Sequence, residues 1–359
     1  MKQLLLIFVL LSFYTTKVYS QQTQNDTLLQ NKTIEEKKIE LSVMPYLSYN
    51  SNLKVMVGAI PMMMYKVNEQ DSISPKSLSG ASVVYTTNGS YFVALFNKFY
   101  FKEDNWRATL FAINGNHNSQ FFMGDIDLPG FYDYQTKVTY VSAGLQRKIS
   151  NTIFGGLGYT YAMYKTSYED NVQPKSVTKT NAIEFSFLND TRNDIYYPTK
   201  GNKTKIRWVT FPKWFGNDAS ANKILTEYNT YFSSRKDKDV IAARFFGQFG
   251  LGNIAFEQQV TVGGKDIRGY SEGKYRGDGL MALQGEYRYN FGEKMGIVGF
   301  AGISTIYGST NESFDWGIYP AIGAGYRYRA FKTVKFNIGL DAAVGKDDWS
   351  INFRIGEAF

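Results

Sequence analysis

His117 is the single histidine of the chain, and so the only side chain that ordinarily titrates near neutral pH. A hydrolase built around it needs a serine nucleophile at hydrogen-bond distance and a third polar group to orient the imidazole. Its neighbours are Asn116 and Asn118, in a stretch expected to be a surface loop as far as Asp133, so it reads as a solvated loop histidine. Asp125, Asp127 and Asp133 share that stretch. Grouped carboxylates can serve a protease, or hold a hard cation weakly through several oxygens at about 2.4 Å, but the plainer reading is a solvated acidic loop. With no cysteine the chain has no zinc-ligand spacing and no disulfide, and it has no Gly-Lys-Ser/Thr phosphate loop. We therefore expect no enzyme, no cofactor and no metal.

The segment Val262-Gly263-Gly264-Lys265-Asp266-Ile267-Arg268-Gly269-Tyr270 offers recognition rather than catalysis. Its glycines permit positive φ and close backbone approach, and they present one guanidinium and one aromatic ring on a short tip. A planar guanidinium holds a carboxylate at two points and stays charged when partly desolvated. If the tip folds into an enclosed lumen, Glu286 and Asp341 are its candidate partners. The other reading is a surface loop with an incidental arginine.

For that tip to have an interior to enter, the flanking segments must build one. From Glu40 onward the chain divides into segments that alternate apolar with polar or small residues between turns, the pattern of a transmembrane barrel with one face to lipid and one to water. Val334, Phe336, Ile338, Leu340, Ala342 and Val344 alternate with Lys335, Asn337, Gly339 and Asp341. Trp349, Ile351, Phe353 and Ile355 alternate with Ser350, Asn352, Arg354 and Gly356, and Met281, Leu283, Tyr287 and Tyr289 with Gln284, Glu286, Arg288 and Asn290. Parity thus puts Glu286 and Asp341 on the inner face. A sheet with open edges in hydrocarbon leaves unpaired backbone groups at several kcal/mol each, so it must close.

The alternation predicts an all-β fold, a single transmembrane antiparallel β-barrel of sixteen strands, an even number as single-chain bacterial barrels require. They are expected at 40–50, 54–66, 78–87, 90–101, 105–116, 134–149, 151–164, 175–188, 202–211, 222–233, 238–249, 278–290, 294–305, 316–328, 333–344 and 348–358. With the first strand starting in the periplasm, the long connections after strands five, seven, nine, eleven and thirteen all face outward. Two inward connections, Asn68 to Ser77 and Asn189 to Gly201, are longer than that rule predicts.

Residues 1–20 read as a signal peptide: Lys2, an apolar run from Leu4 to Phe13, then Val18-Tyr19-Ser20 before Gln21. That run is about half of the roughly 20 apolar residues a membrane-crossing helix needs. Residues 21–39, rich in Gln, Asn, Thr, Glu and Lys, read as a disordered leader, and 40–359 as the barrel. Removing the signal lowers the formal charge from +8 to +6, because Lys2 and Lys17 leave with it. The basic residues are dispersed rather than clustered, which argues against nucleic acid as a partner and fits a hydrated lumen and loops facing anionic lipid headgroups.

Ile267-Arg268-Gly269-Tyr270 resembles the conserved sixth-loop motif of the BamA/TamA-like superfamily, the bacterial surface antigen barrels that include the two-partner-secretion transporters. Asp190-Thr191-Arg192 through Pro198 and Gly201 resembles the family's fourth periplasmic turn, and Gly285-Glu286-Tyr287-Arg288-Tyr289 its twelfth strand. Gly325-Tyr326-Arg327, Asp341 and Gly356-Glu357-Ala358-Phe359 resemble its last three strands. The resemblance covers roughly residues 42–359 and implies a long sixth extracellular loop folded into the lumen.

Two features depart from it. Where the family's thirteenth strand alternates an aromatic, an Asp that partners the loop arginine, and a Gly, this chain has Val298, Phe300 and Gly302. The Arg268 contact is then expected to rest mainly on Glu286. The chain also lacks sequence for the periplasmic POTRA repeats that receive client chains, which likens it to the short branch of the superfamily.

The resemblance implies a bacterial outer-membrane barrel that assists protein or lipid assembly or transport, with outer-membrane lipids and periplasmic or outer-membrane proteins as partners. Its alternative is a passive pore or a structural subunit of an envelope complex. Pro45 removes a ladder donor from the first strand and Gly356 a side chain from the last, so a weak seam is expected between them.

Overall fold

The computed structural model of the chain describes residues 39–123, 130–264, 266–308, 317–331 and 333–359. The signal peptide and all of the leader but Ile39 lie outside these residues, as do Asp125 and Asp127.

Sixteen strands close into one antiparallel barrel. In chain order they are β1 (Ile39–Asn50), β2 (Lys54–Tyr65), β3 (Ser77–Thr86), β4 (Tyr91–Phe101), β5 (Trp106–Met123), β6 (Gly130–Lys148), β7 (Ile153–Tyr168) and β8 (Ser176–Asp190). There follow β9 (Gly201–Phe211), β10 (Ala221–Ser234), β11 (Asp239–Gly252), β12 (Gly279–Asn290), β13 (Met295–Tyr307), β14 (Gly317–Arg329), β15 (Asn337–Gly345) and β16 (Asp348–Ile355). Each strand pairs with its chain neighbours, and β16 returns to β1.

Alternation has the consequence that period two demands. On β15, Leu340 and Val344 point outward while Asn337, Asp341 and Ala343 are buried. On β12, Leu283, Tyr287 and Tyr289 face outward opposite buried Gln284, Glu286 and Arg288.

The connection from β11 to β12 turns back into the barrel and carries its own two-residue ladder, Val260–Thr261 against Arg276–Gly277. Val260, Val262, Ile267 and Tyr270 from this loop pack with Phe246, Leu280, Ile306 and Tyr319 of the inner wall. The lumen is thus a filled core on that side, which gives the loop an apolar reason to stay inside.

Three expected elements are corrected. The stretch after strand five is strand as far as it is described: β5 and β6 continue in register from His117↔Thr136 to Met123↔Gly130. Polar side chains do not end a ladder whose backbone groups are paired, so His117 and Asp133 are strand residues. The segment expected to open strand fifteen folds inward instead. There Phe331 and Phe336 are buried with Met44, Ile60, Met62, Met64 and Leu78, so Val334 and Phe336 do not face lipid. The last strand ends at Ile355 rather than residue 358. Gly356 takes φ +80, a left-handed conformation a side chain disfavours, and directs residues 357–359 into the lumen.

The two long inward connections are tied down by side chains. Asp71 accepts hydrogen bonds from the Ser74 amide (2.8 Å) and hydroxyl (2.6 Å), and from the amide of Glu103 in the next inward turn (2.9 Å). Asp194 likewise accepts from the amides of Tyr196 and Tyr197, both at 2.7 Å. The Ser74 hydroxyl, with the amides after it, lowers the Asp71 carboxyl to about 2. Because this value lies below that of the unfolded chain, the group stabilises the fold at neutral pH and the contribution fades as pH falls from about 4 towards 2. Asp71→Asn should therefore lower the unfolding temperature at pH 7, and the gap to wild type should shrink in thermal melts below pH 3. A gap independent of pH would contradict this role.

Candidate functional site in the barrel lumen

Arg268 is 2% exposed and stands between two fully buried carboxylates. Its Nη2 lies 2.9 Å from Glu286 Oε2 and its Nη1 2.9 Å from Asp341 Oδ2. The guanidinium carbon sits 3.4 Å from the centroid of the Phe300 ring. Phe300, where the resemblance implies an aspartate, offers its π face to the same cation. The contact does not rest mainly on Glu286, because Asp341 approaches as closely.

Both carboxylates serve further arginines. Glu286 Oε1 accepts from Arg288 Nε at 2.7 Å, and Asp341 Oδ1 from Arg327 Nη1 at 2.5 Å. Arg354 Nε reaches Asp341 Oδ2 at 3.1 Å, while Glu357 Oε2 holds Arg327 Nε at 3.0 Å. Four guanidiniums therefore share three carboxylates. Such burial is tolerable only because each carboxylate is hydrogen-bonded on several sides.

The rest of the tip is fixed as firmly. Ile267 enters the apolar cluster, and the Tyr270 hydroxyl donates to the Pro320 carbonyl (2.7 Å) and accepts from the Lys346 amide (2.9 Å). Gly269 takes φ +105 with its amide 3.2 Å from Ser350 Oγ. A Cβ there would stand 3.0 Å from the Val344 carbonyl carbon, so the position needs glycine for both reasons.

The loop also spans the seam. The Ser271 amide donates to Asp348 Oδ2 (2.8 Å), and Ser51 Oγ, from the β1–β2 turn, donates to Asp348 Oδ1 (2.9 Å). Between β1 and β16 only Tyr49↔Ile351 and Asn50↔Ser350 are paired, whereas β1 pairs with β2 along its whole length. Tyr49 stacks on Trp349 at 4.5 Å, and Tyr46 meets Phe353 edge-on at 5.5 Å. Pro45 lies in the part of β1 without a β16 partner, with its side face exposed. Gly356 lies beyond the strand: its amide donates to the Asn337 carbonyl of β15 at 2.7 Å. Because Gly356 starts the turn inward, it acts on the seam by ending β16, not by thinning its side chains.

The other residues considered for chemistry lie apart from this site. The His117 ring packs against Phe92 and Tyr134, at 5.9 and 6.0 Å between centroids. Asp133 is paired with Gln120, and its amide donates to Glu169 at 3.1 Å. Ser271, Asp348, Arg327, Arg354 and Phe300 were not foreseen as partners of the loop. Inward parity marks the two arginines and Phe300, but nothing in spacing joins Ser271 to Asp348 across 77 residues of chain.

The closed sheet, its lipid-facing apolar band and a charged interior define an outer-membrane β-barrel. The Omp85 superfamily domain matches residues 77–359, and the chain belongs to that superfamily. No curated protein matches it in sequence. Among solved structures it is similar to BamA from Haemophilus ducreyi lacking POTRA domains 1-3, at 13% identity and a TM-score of 0.57, covering 88% of this chain and 69% of that one. It is also similar to CdiB from Acinetobacter baumannii (12% identity, TM-score 0.57, covering 88% of this chain and 59% of that one). CdiB from Escherichia coli matches at 8% identity and a TM-score of 0.60, covering 89% of this chain and 63% of that one. Against both CdiB proteins the chain spans less than two thirds of their length, and at these identities the likeness is one of fold.

Removing one partner of a buried ion pair costs about 3–5 kcal/mol, because the other charge is stranded. Arg268→Ala should therefore lower the temperature at which the folded, fast-migrating form converts on electrophoresis, and should open residues 260–277 to protease. Arg268→Lys, which keeps the charge without the fork, should fall between. If alanine converts at the wild-type temperature, the arginine does not hold the loop.

Proposed function

We propose that the barrel assists the insertion or passage of outer-membrane proteins or lipids by parting between β1 and β16. The observation that carries the reading is the two-residue ladder between these strands. The rest of the β1 edge, from Ile39 to Ser48, has backbone groups without a β16 partner. An unpaired edge is a template for an incoming strand. Membership of the Omp85 superfamily supports the reading. Partner proteins of the periplasm or outer membrane are part of the proposal, as is a role for Ile267, Arg268, Gly269 and Tyr270 in bracing the seam through Ser271 and Asp348.

The chain has no cysteine, so an engineered pair is chemically unambiguous. Tyr49→Cys with Ile351→Cys places thiols at directly opposed ladder positions, within disulfide reach. In cells that depend on this gene, the oxidised pair should reproduce the deletion phenotype and a reductant should restore growth. Growth of the stapled strain equal to wild type would exclude seam opening. Conductance in lipid bilayers tests a passive pore: a steady current through the wild type, unchanged in Arg268→Ala, would favour that reading instead.

A further inference from the structure

At the end of the barrel that carries the sixth loop, Lys137 of β6, Lys165 of β7 and Lys179 of β8 are exposed on the lipid-facing side of the sheet. Their strand neighbours fix that direction. The hydroxyls of Thr136 and Thr166 meet inside at 3.0 Å, and Thr178 donates to Glu257 of the sixth loop at 3.1 Å, so the alternate positions point outward. Lys137 and Lys165 are directly opposed in the ladder, and Lys179 stands diagonal to Lys165, two residues past its partner Val177. Such neighbours are about 5 Å apart when opposed and about 7–8 Å on the diagonal, and like charges there repel.

Their height in the membrane follows from β6. Arg147 lies over the Trp106 ring at the opposite rim, 5.5 Å from its centroid, and the outward positions between it and Lys137 are Leu145, Ala143, Val141 and Thr139. Ten residues separate Arg147 from Lys137, matching the roughly 9–11 of a tilted strand that crosses the hydrocarbon. The lysines therefore stand at head-group level of the outer leaflet. Val141, Leu157 and Tyr159 are exposed to lipid nearer the middle of the membrane. By contrast, Tyr85, Tyr91, Leu251 and Ile318 occupy the corresponding ends of β3, β4, β11 and β14.

The connection from β9 to β10 leans over the same face. Asn217 accepts from the Asn181 amide (2.8 Å) and donates to the Asn181 carbonyl (2.9 Å), two residues from Lys179. Phe215 meets the ring of Tyr159 edge-on at 5.8 Å. These contacts bring Lys213 and Trp214 to the border of the patch. Trp214 is 78% exposed, as suits an indole at a membrane interface.

None of these four lysines has an ion-pair partner among the described residues. The acids of this region are Asp133, Glu169 and Asp170, four or five residues further out than Lys137 and Lys165, and the exposed Asp218 of the β9–β10 connection; Lys175 lies four residues beyond Lys179. Four residues of strand span about 13 Å, more than the ~8 Å over which exposed charges act at physiological salt. Opposed lysines at head-group level call for a bound anion, and three of them exceed the single charge of a phosphodiester lipid. A phosphate monoester carries about −1.5 to −2.

We propose that this patch binds the phosphorylated head of an outer-leaflet glycolipid of the lipid A class, its phosphates on Lys137, Lys165 and Lys179 and its acyl chains along Val141, Leu157 and Tyr159. Charge-assisted hydrogen bonds from the ammonium groups to a shared phosphate turn the repulsion between Lys137 and Lys165 into attraction. In the ring of strands β7 and β8 lie across from β1 and β16, so the site is independent of any parting at the seam.

The test uses the full-length mature chain in zwitterionic detergent, with diphosphoryl lipid A as probe and native mass spectrometry as readout. Binding should saturate at one lipid A per chain. Lipid A stripped of both phosphates, and phosphatidylglycerol, should each bind at least about tenfold more weakly. The triple variant Lys137→Gln, Lys165→Gln, Lys179→Gln should lose about a hundredfold in affinity, since each lysine near an anionic surface contributes a factor of about five. A control with equal charge loss at exposed inner turns, Lys236→Gln, Lys238→Gln, Lys294→Gln, should bind like the wild type. Heat-modifiable migration checks that both variants are folded, which substitution of exposed, unpaired side chains should not disturb. The proposal is overturned by absence of saturable binding, by equal affinity for the dephosphorylated lipid or phosphatidylglycerol, by wild-type affinity in the folded triple variant, or by an equal loss in the control.

Discussion

A guanidinium buried inside a membrane barrel has to be matched by carboxylates that are themselves buried, and the pairing of Arg268 with Glu286 and Asp341 is where this constraint acts. The two acids lie on β12 and β15, and the arginine comes from the loop that leaves β11. One side chain therefore ties together parts of the wall that share no ladder. The pairing is under-determined by two groups alone, and Arg288, Arg327 and Arg354 complete the shell around the acids. Removing water from such a cluster is unfavourable unless its members are rigidly held, and the apolar packing of Ile267 and Tyr270 supplies that rigidity.

The loop in turn bears on the weakest joint of the sheet. A closed sheet has no edges, but closure does not require every strand pair to be equally long. Here the β1–β16 ladder is confined to the outer end, and the loop braces the same end through Ser271, Asp348 and Ser51. Towards the other end the strands diverge, since Gly356 sends the chain inward and Glu40 of β1 pairs with Lys76 at 3.0 Å instead of with β16. The joint is consequently held at its outer end by two ladder pairs and side chains together, and farther in by Tyr46 against Phe353. Side-chain contacts of this kind can be exchanged one at a time, whereas a full ladder would have to be broken along its length.

Alternation made most of this legible because a strand's side chains obey a period of two regardless of its neighbours. It placed Glu286 and Asp341 on the inner face, and the glycines around Arg268 marked a tip able to approach them. It failed where polarity and structure part company. His117, Asn118 and Ser119 look like a loop, yet their backbone groups are paired across to β6. Val334 and Phe336 keep the parity of β15 but lie before its first ladder position, and they bury themselves against Met62 and Met64 rather than in lipid. In a membrane barrel an apolar side chain has two apolar destinations, and periodicity alone does not distinguish them.

Phe300 shows how one departure from a family pattern can be absorbed. An aspartate at this place would add a charge to neutralise the arginine; a phenylalanine adds none, and the cluster is left with fewer acids than guanidiniums. Its ring face recovers part of the attraction, since a cation held close over a desolvated ring gains up to about 2 kcal/mol. Arg354 is the most exposed member of the set, with a quarter of its side chain open to screening by water.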